Sequence, residues 1–421
     1  MKKINSKWIV WLIFGFAYMI GFFHRYAIGV IADTLTIEMG LTPASLSLLA
    51  SLYFYTYGIL QIPTGIMLDA HGPRKVVITG MGAIFIGSLL FAMSSHLMLV
   101  YVARVFIGFG AATTFTSVLK IVALWFKPNE FATLTGLTSV LGNTGAILAT
   151  SPFVFAIALM GWRGSYVLMA FLTLALLLVM VLMIQDRPAV SDNEAMQRGT
   201  VQNGEDNPAQ VSLLHGLKVV AGSRYTWLNI IILFSVFGSY MSFTGLWGPS
   251  YLTITYGMTL ETASALIMAF LSGTIVGAPF IGWISDRVGK RKRVLQVGLA
   301  LLASFWAIFL FIMPRLESSA LMAPLLFLMG FTSITPMLCF TNVKELNQKM
   351  FVGIATGFVN SAPFFGTAIL NSVVAWFLQT TATAQDYQNG VQVYLVVCLL
   401  AFGASFFLKE AIPSRTNGLS S

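Results

Sequence analysis

The stretch GIMLDAHGPRK at residues 65–75 recurs later in the chain, and this repeat decides the fold that the sequence predicts. Shifted by 217 residues, it meets GWISDRVGKRK at residues 282–292, and five of the eleven positions are identical. The identical pairs are Gly65 and Gly282, Asp69 and Asp286, Gly72 and Gly289, Arg74 and Arg291, and Lys75 and Lys292. Each copy places charges between two long apolar segments, so the chain is expected to consist of two similar halves.

The composition indicates a membrane protein. Of the 421 residues, 57% are hydrophobic and 9% are charged, with a mean hydropathy of +0.83, whereas soluble domains carry about 25% charged residues. A bilayer core about 30 Å thick requires roughly 20 apolar residues per helix. Twelve runs qualify: 8–31, 45–68, 76–95, 97–125, 131–158, 163–185, 225–251, 261–284, 293–313, 319–343, 351–379 and 391–409. The sequence therefore predicts an all-α integral membrane protein with 12 transmembrane helices, the first too long for a removable signal peptide.

The lysines and arginines predict the orientation, because cytoplasmic loops carry an excess of them. With a cytoplasmic N-terminus, 19 of the 24 fall in cytoplasmic segments and two, Arg163 and Arg315, in outer loops. The other three, Arg25, Arg104 and Lys120, fall inside predicted helices. Both termini are therefore expected in the cytoplasm, in a multi-pass protein of the bacterial inner membrane. The net charge of +9 follows from this topology, and basic residues spread over many short loops indicate no nucleic-acid partner.

A polar segment divides the chain in the middle. Residues 187–210 are rich in Asn, Asp, Gln and Glu and resemble a flexible linker. Residues 211–224 place apolar side chains on one helical face, and they form either an interfacial helix or an ordered start to the seventh transmembrane helix. The predicted domains are an N-terminal six-helix bundle over 1–186, a cytoplasmic linker over 187–224 and a C-terminal six-helix bundle over 225–421.

The repeated motif, G-x-x-x-D-x-x-G-x-R-K, resembles the signature loop between helices 2 and 3 of the major facilitator superfamily. The resemblance covers the whole chain and implies two pseudo-symmetric six-helix bundles that transport a solute by alternating access. Each glycine suits a positive φ or a close backbone approach. Asp69 can hold the positive N-terminus of a helix, and the resemblance implies that this is helix 11, which begins near Phe351, while the cytoplasmic side is closed. The ten identical residues are thus expected to form a gate, and the alternative is a solvated charged turn.

A second resemblance lies in RVFIGFGAA, residues 104–112, which is similar to the R-x-x-x-G-x-G-A-A pattern in helix 4 of the same family. Its small residues allow close helix contact, and the resemblance links Arg104 to proton coupling. The predicted fifth helix differs from that of the family's antiporters, because Gly142 and Asn143 stand where those usually carry a Gly-Pro pair. This difference argues against a drug antiporter.

Ionisable side chains deep in a membrane protein are candidates for the functional site. Arg25 is the first candidate for a substrate contact, with an ion pair to Asp33 or a structural role as the alternative. His24 is a candidate proton carrier or a packing residue, and Lys120 either lines the cavity or extends to the interface. Polar and aromatic side chains on helical stripes complete the expected substrate site, although such side chains also serve packing: Tyr18, Tyr53, Tyr57, Gln61, Tyr240, Trp247 and Asn360.

The acidic residues favour an anionic substrate, because only Asp33 is expected at depth within a helix, near the outer end. A site with deep cations and no deep carboxylate attracts an anion by up to about 4 kcal/mol at roughly 4 Å. The stretch YFYTYGILQIPTG, residues 53–65, also resembles helix 2 of organic-anion and amino-acid uptake members of the family. The sequence therefore predicts a secondary active transporter, a symporter that moves an organic acid or amino acid inward with protons carried by His24, Asp33 or the substrate.

Two other interpretations stay open. One is an exporter or antiporter of a metabolite, a siderophore-like polyanion or a drug, and the other is a membrane sensor that does not transport. An enzyme is not indicated, because no nucleophile lies at a credible spacing from a base and no phosphate-binding loop is present. Cys339 and Cys398 lie in apolar runs and indicate no disulfide or metal site. The expected partners are a solute, protons and the lipid bilayer, for a monomer without a cofactor.

Overall fold

The computed structural model of the protein describes residues 6–127, 130–184, 213–316, 321–348, 351–378 and 382–410, apart from the side chains of Asp69, Ala132, Leu213 and Leu214. Regular structure in these ranges is helical. The first half of the chain contains α1 (Lys7–Met39), α2 (Pro43–Met93), α3 (Leu97–Trp125), α4 (Phe131–Leu148) and α5 (Ser151–Met183). The second half contains α6 (Leu213–Gly222), α7 (Arg224–Ser242), a π-helical turn (Phe243–Trp247), α8 (Gly248–Tyr256), α9 (Leu260–Val288), α10 (Arg291–Ala307), a π-helical turn (Ile308–Ile312), a 3-10 turn (Met313–Arg315), α11 (Met322–Ser333), α12 (Met337–Leu346), α13 (Val352–Asn360), α14 (Ala362–Phe377) and α15 (Ala384–Ser405).

Within the described ranges, eleven helical segments are long and apolar enough to cross a bilayer, one fewer than the twelve predicted. The difference lies in residues 131–183, where α5 contains one non-helical residue, Gly161, with φ 71° and ψ 168°. The rings of Phe153 and Tyr166 are 6.0 Å apart, whereas thirteen residues of straight helix would span about 20 Å. The chain therefore reverses direction at Gly161, between the predicted fifth and sixth helices. The all-helical membrane fold is confirmed, while the count of twelve is not reached by this criterion.

The chain folds into two compact units. The first comprises Met1–Ser212 together with Gly245–Ser250 and Thr259–Ala265, and the second comprises Leu213–Thr244, Tyr251–Met258 and Leu266–Ser421. Each unit therefore draws most of its helices from one half of the sequence.

Small residues set the helix spacing in the first unit. A Cβ atom added to Gly110 in α3 would lie 2.2 Å from the carbonyl oxygen of Gly80 in α2, and one added to Gly108 would lie 2.8 Å from that of Tyr53. The two backbones are thus in direct contact, which only glycine permits at these positions. This is the close helix contact that the pattern at residues 104–112 predicts.

Helices of the second unit also approach closely at glycines, and this unit contains an aromatic core. A Cβ atom on Gly330 of α11 would lie 1.9 Å from the carbonyl oxygen of Phe270 in α9. Phe243, the first residue of one π-helical turn, contacts the rings of Trp306 and Phe309 edge-on, at centroid distances of 5.3 and 5.7 Å. Edge-to-face packing of this kind stabilises beyond the burial of area alone.

The segment after the polar linker forms a separate short helix, α6. It ends at Gly222, and Ser223, which has an extended backbone (φ −84°, ψ 119°), precedes the first residue of α7. The indole of Trp227 donates a hydrogen bond to the carbonyl oxygen of Ala221 at 2.7 Å and so ties α7 to the end of α6. Residues 187–212 of the predicted linker lie outside the described ranges, and the interfacial position of α6 stays a prediction.

Candidate functional site

The two copies of the repeated motif share one backbone feature. Gly72 and Gly289 both have a positive φ, 79° and 64°, which L-residues with a side chain rarely adopt. The expectation of a special backbone position fails for Gly65 and Gly282, because a Cβ atom at either would meet nothing within 4 Å. Glycine is therefore required by the backbone only at the second position of each copy.

The charged residues of the motif bind the loop within their own units. Arg74 donates to the carbonyl oxygen of Val181 at 2.7 Å. In the second copy, Arg291 forms an ion pair with Glu345 at 2.9 Å and lies 3.7 Å from the carboxylate of Asp286. These contacts fix the loops to the helices that follow.

The lysines of the two copies differ from each other. Lys292 donates through Nζ to the carbonyl oxygen of Phe406 at 2.8 Å, whereas Lys75 is exposed. The side chain of Asp69 lies outside the described part of the protein. Its contact with the eleventh predicted helix, residues 351–379, therefore stays a prediction.

Arg25 lies in a cage of aromatic rings in the first unit. Its side chain belongs to α1 and is 3% exposed. The guanidinium carbon lies 4.2 Å from the ring centroid of Phe22, 5.1 Å from that of Tyr57 and 5.8 Å from that of Tyr53. A cation over aromatic faces is stabilised by the quadrupoles of the rings, by about 2 kcal/mol when it is shielded from water.

Four of the other expected substrate residues belong to the same cluster. Tyr57 hydrogen-bonds to both Arg25 and Gln61, and the rings of Tyr53 and Tyr57 stack at 6.0 Å. Tyr18 packs edge-on against Phe22 at 4.7 Å. Spacing along α1 and α2 predicted these stripes, and the structure brings them together around one cation.

The two other deep side chains of the N-terminal half form a neighbouring cluster. Arg104 donates to the carbonyl oxygens of His24 at 2.9 Å and Leu49 at 3.2 Å, and it therefore joins α3 to α1 and α2. His24 Nε2 lies 3.1 Å from the hydroxyl oxygen of Ser88. Both His24 and Arg104 are 0% exposed, so neither is in contact with bulk solvent.

Asp33 is held apart from Arg25. Its carboxylate accepts a hydrogen bond from Ser250 at 2.8 Å, and it follows Arg25 by about 12 Å along the helix axis. Because α1 continues to Met39, a second carboxylate, Glu38, also belongs to this helix, where it binds Arg163 and Trp162. The acidic groups of α1 therefore lie toward its C-terminal end, away from the aromatic cage.

The remaining four expected substrate residues are distributed over both units. Lys120 is half-buried in α3, and Trp247, the last residue of the first π-helical turn, is 1% exposed and belongs to the first unit. In the second unit, Tyr240 stacks on Phe270 at 5.6 Å, and Asn360 is the last residue of α13, at the break before α14. Lys120 and Trp247 thus belong to the first unit, and Tyr240 and Asn360 belong to the second.

Sequence reasoning missed three side chains that surround the cations. Phe22 could have been found, because residues three apart on a helix share a face and Arg25 follows it by three. Ser88 and Tyr166 carry no such signal, since they reach His24 from other helices far along the chain. Among the described residues, no group of three His, Cys, Asp or Glu side chains could hold a metal ion.

Many apolar helices, backbones in contact at glycines, and cations enclosed within a helical unit define a membrane transport protein. The model of the Major Facilitator Superfamily matches residues 14–369 and, in a second match, residues 250–420. The chain belongs to this superfamily, is a multi-pass membrane protein, and is a transporter of some solute rather than an enzyme.

The relatives are distant. The chain is 24% identical over 384 residues to the probable sulfoacetate transporter SauU of Cupriavidus necator, covering 89% of this chain and 87% of that one. It is 26% identical over 381 residues to the membrane sensor protein UhpC of Salmonella typhimurium, covering 86% and 82%. The fold is similar to that of a bacterial homologue of the human lysosomal transporter Spinster, with a TM-score of 0.74, 14% identity and coverage of 96% and 97%.

Proposed function

We propose that the protein carries a small organic anion, a carboxylate-bearing metabolite such as an organic acid or amino acid, and that Arg25 binds its negative charge. The observation that supports this most strongly is the aromatic cage around Arg25, within 6 Å of three ring centroids. The rings lower the local dielectric constant around the guanidinium. An anion placed about 4 Å from it then gains up to about 4 kcal/mol before desolvation.

The hydrogen bonds of the cage support recognition of an oxyanion. Arginine presents a planar fork of donors that matches a carboxylate, and the hydroxyl of Tyr57 and the amide of Gln61 extend the line of polar groups beyond Arg25. SauU adds support, because sulfoacetate carries a carboxylate and a sulfonate. Lys120, Tyr240, Trp247 and Asn360 are proposed as further solute contacts.

The coupling mechanism is proposed to be inward symport with protons across the bacterial inner membrane. His24, Asp33 or the substrate would carry the proton, and Arg104 would position His24 through its hydrogen bond to the carbonyl oxygen of that residue. The two motif loops are proposed to act as the cytoplasmic gate of a monomer whose termini face the cytoplasm.

The test has two stages. Purified protein is first screened for thermal stabilisation by carboxylates, sulfonates, amino acids and cationic drugs, and the best solute is then followed in proteoliposomes with and without a pH gradient. Arg25→Ala is expected to abolish uptake, and Arg315→Ala, which removes an exposed arginine of the second unit outside both motif loops, serves as the matched control. Normal uptake by Arg25→Ala would contradict the proposal, and flux directed outward would indicate an exporter or antiporter.

A second candidate function is a solute sensor that does not transport. It is favoured by the likeness to UhpC over most of both chains. A sensor would bind the anion with the same dependence on Arg25 but would give no flux in proteoliposomes. Binding without flux in either direction therefore separates the two functions.

A further inference from the structure

The cluster of Arg104, His24 and Tyr166 in the first unit contains three buried polar atoms that no described residue satisfies. They are Nη2 of Arg104, Nδ1 of His24 and the hydroxyl oxygen of Tyr166. All three side chains are 0% exposed, and the rings of His24 and Tyr166 lie 5.6 Å apart. A buried polar group without a hydrogen bond costs about 1–3 kcal/mol, so three such groups on neighbouring side chains call for an explanation such as a bound ion.

The charge of Arg104 also lacks a counter-ion. Within the described ranges it forms no salt bridge, and its other donors go to the neutral carbonyl oxygens of His24 and Leu49. On α1, Asp33 follows His24 by nine residues, or about 14 Å along the helix, and its carboxylate binds Ser250. A buried charge without an opposite charge is strongly destabilising.

The three atoms share one chemical role, because each can donate a hydrogen bond. The guanidinium only donates, and the phenol of Tyr166 has its proton available. His24 donates through Nδ1 when Nε2 accepts the hydroxyl proton of Ser88, 3.1 Å away. A water molecule matches this cluster poorly, since it would have to accept from three donors while its own two protons found no acceptor among them. An acceptor that carries negative charge and has no protons matches it.

The surrounding side chains favour a monatomic anion. The ring of Tyr166 stacks on Phe91 at 4.5 Å, and the guanidinium of Arg104 lies 5.1 Å from the ring centroid of Tyr53. Three donors among aromatic walls are too few for a carboxylate, a sulfonate or a phosphate, whose oxygens accept many hydrogen bonds. We propose that Arg104, His24 and Tyr166 form a halide-binding site, occupied by chloride in the cell, that neutralises Arg104 and stabilises the junction of α1, α2 and α3. This site adjoins the aromatic cage of Arg25, with which it shares the ring of Tyr53, and it does not depend on the proposed function.

The first test measures the melting temperature of the full-length purified protein while sodium chloride or bromide replaces sodium sulfate at constant ionic strength. Removal of sulfate lowers the melting temperature of every variant, and the parent is expected to show a saturable gain over this shared decline, because a ligand that binds only the folded state stabilises it. Tyr166→Phe keeps the ring on Phe91 and removes one charge-assisted hydrogen bond, so the half-saturating halide concentration should rise about tenfold. Tyr394→Phe removes a buried phenol from the second unit and should leave the halide response unchanged.

The second test locates the ion. Crystals grown in sodium bromide are expected to give an anomalous peak among Arg104, His24 and Tyr166, and Arg25→Gln is expected to keep the halide response. The proposal is overturned by a melting temperature that shows no saturable gain with halide. It is equally overturned by a response lost in Arg25→Gln and kept in Tyr166→Phe, because the halide would then occupy the solute site.

Discussion

Two arginines contact one tyrosine ring in the first unit. The guanidinium carbons of Arg25 and Arg104 lie 5.8 and 5.1 Å from the ring centroid of Tyr53. The hydroxyl of Tyr53 donates to the carbonyl oxygen of Gly21 at 3.0 Å, which fixes the plane of the ring. Each shielded cation–π contact stabilises by about 2 kcal/mol, so this ring contributes to the burial of both charges.

Substitution of Tyr53 separates the role of the ring from that of the hydroxyl. Tyr53→Phe loses one hydrogen bond and should reduce stability by about 1 kcal/mol, with solute affinity near that of the parent. Tyr53→Leu loses both cation–π contacts and should reduce stability by about 2 to 4 kcal/mol. Chemical denaturation in detergent, followed by solute binding, measures both effects. Equal behaviour of the two variants would show that the ring does not stabilise the arginines.

A surface carboxylate offers a prediction about pH. Glu130 accepts hydrogen bonds from the backbone of Lys127 at 2.8 Å and from the ammonium of Lys7 at 3.0 Å, and these contacts lower the pKa of Glu130 below its usual value. A lowered pKa stabilises the folded state above the pKa of the unfolded chain, and this contribution is lost as the pH falls through the folded value. The melting temperatures of the parent and Glu130→Gln should therefore differ at neutral pH and converge in acid. If the two melting temperatures still differ in acid, the effect does not come from the negative charge of Glu130.

The two buried arginines could be identified from the sequence as candidates for the functional site, but their surroundings were only partly predictable. Arg25 and Arg104 stand out because a cation within an apolar run is rare and functional. The tyrosines of α2 followed from helical periodicity, since residues four apart share a face. Ser88 and Tyr166 could not be predicted, because their contacts with His24 depend on how separate helices pack, and one sequence does not encode that in a local pattern.

Glycine positions determine how closely the helices of the first unit approach. A Cβ atom on Gly80 would lie 2.0 Å from the hydroxyl oxygen of Thr113, whereas one on Gly82, two residues later on α2, would meet nothing within 4 Å. The same residue type thus has a packing role at one position and none at the other. The sequence pattern at residues 104–112 predicted the contact from the side of α3, but nothing local distinguished Gly80 from Gly82.

This pair gives a matched test of helix packing. Gly80→Ala forces α2 and α3 apart and should reduce stability by about 1 to 3 kcal/mol, as overpacking does. Gly82→Ala adds a methyl group in open space and should be neutral or stabilising by up to about 1 kcal/mol, because alanine favours the helix. The melting temperatures of the two variants, measured in the same detergent, test both expectations. A loss of stability in Gly82→Ala as large as that in Gly80→Ala would contradict the packing explanation.

In both copies of the repeated motif an arginine holds the loop within its own unit. Arg291 of the second copy pairs with a carboxylate, Glu345, while Arg74 of the first copy binds a backbone carbonyl group. The sequence predicted the repeat, the helical class and most of the helix positions, because these follow from identity and hydropathy alone. The reversal at Gly161 falls between the predicted fifth and sixth helices, whereas the interruption between α4 and α5, after Leu148, was not predicted and changed the helix count.

The predicted orientation can be tested with two cysteines on consecutive loops of the second unit. Lys290 lies in the loop between α9 and α10 and Arg315 follows α10, so the two positions should face opposite sides of the membrane. A membrane-impermeant maleimide added to intact cells is expected to label Arg315→Cys but not Lys290→Cys. The native thiols of Cys339 and Cys398 are buried and give little background. Labelling of Lys290→Cys alone would reverse the predicted topology.

The role proposed for Arg25 is recognition of a negative charge, which can be measured as selectivity. The binding constants of the identified solute and of its uncharged amide are compared for the parent and for Arg25→Gln, by calorimetry on full-length protein. The parent should prefer the anion by about 100-fold, which corresponds to about 2.7 kcal/mol after partial desolvation, and Arg25→Gln should lose most of this preference while it keeps its halide response. An unchanged preference in Arg25→Gln would contradict the assignment of Arg25 as the anion contact.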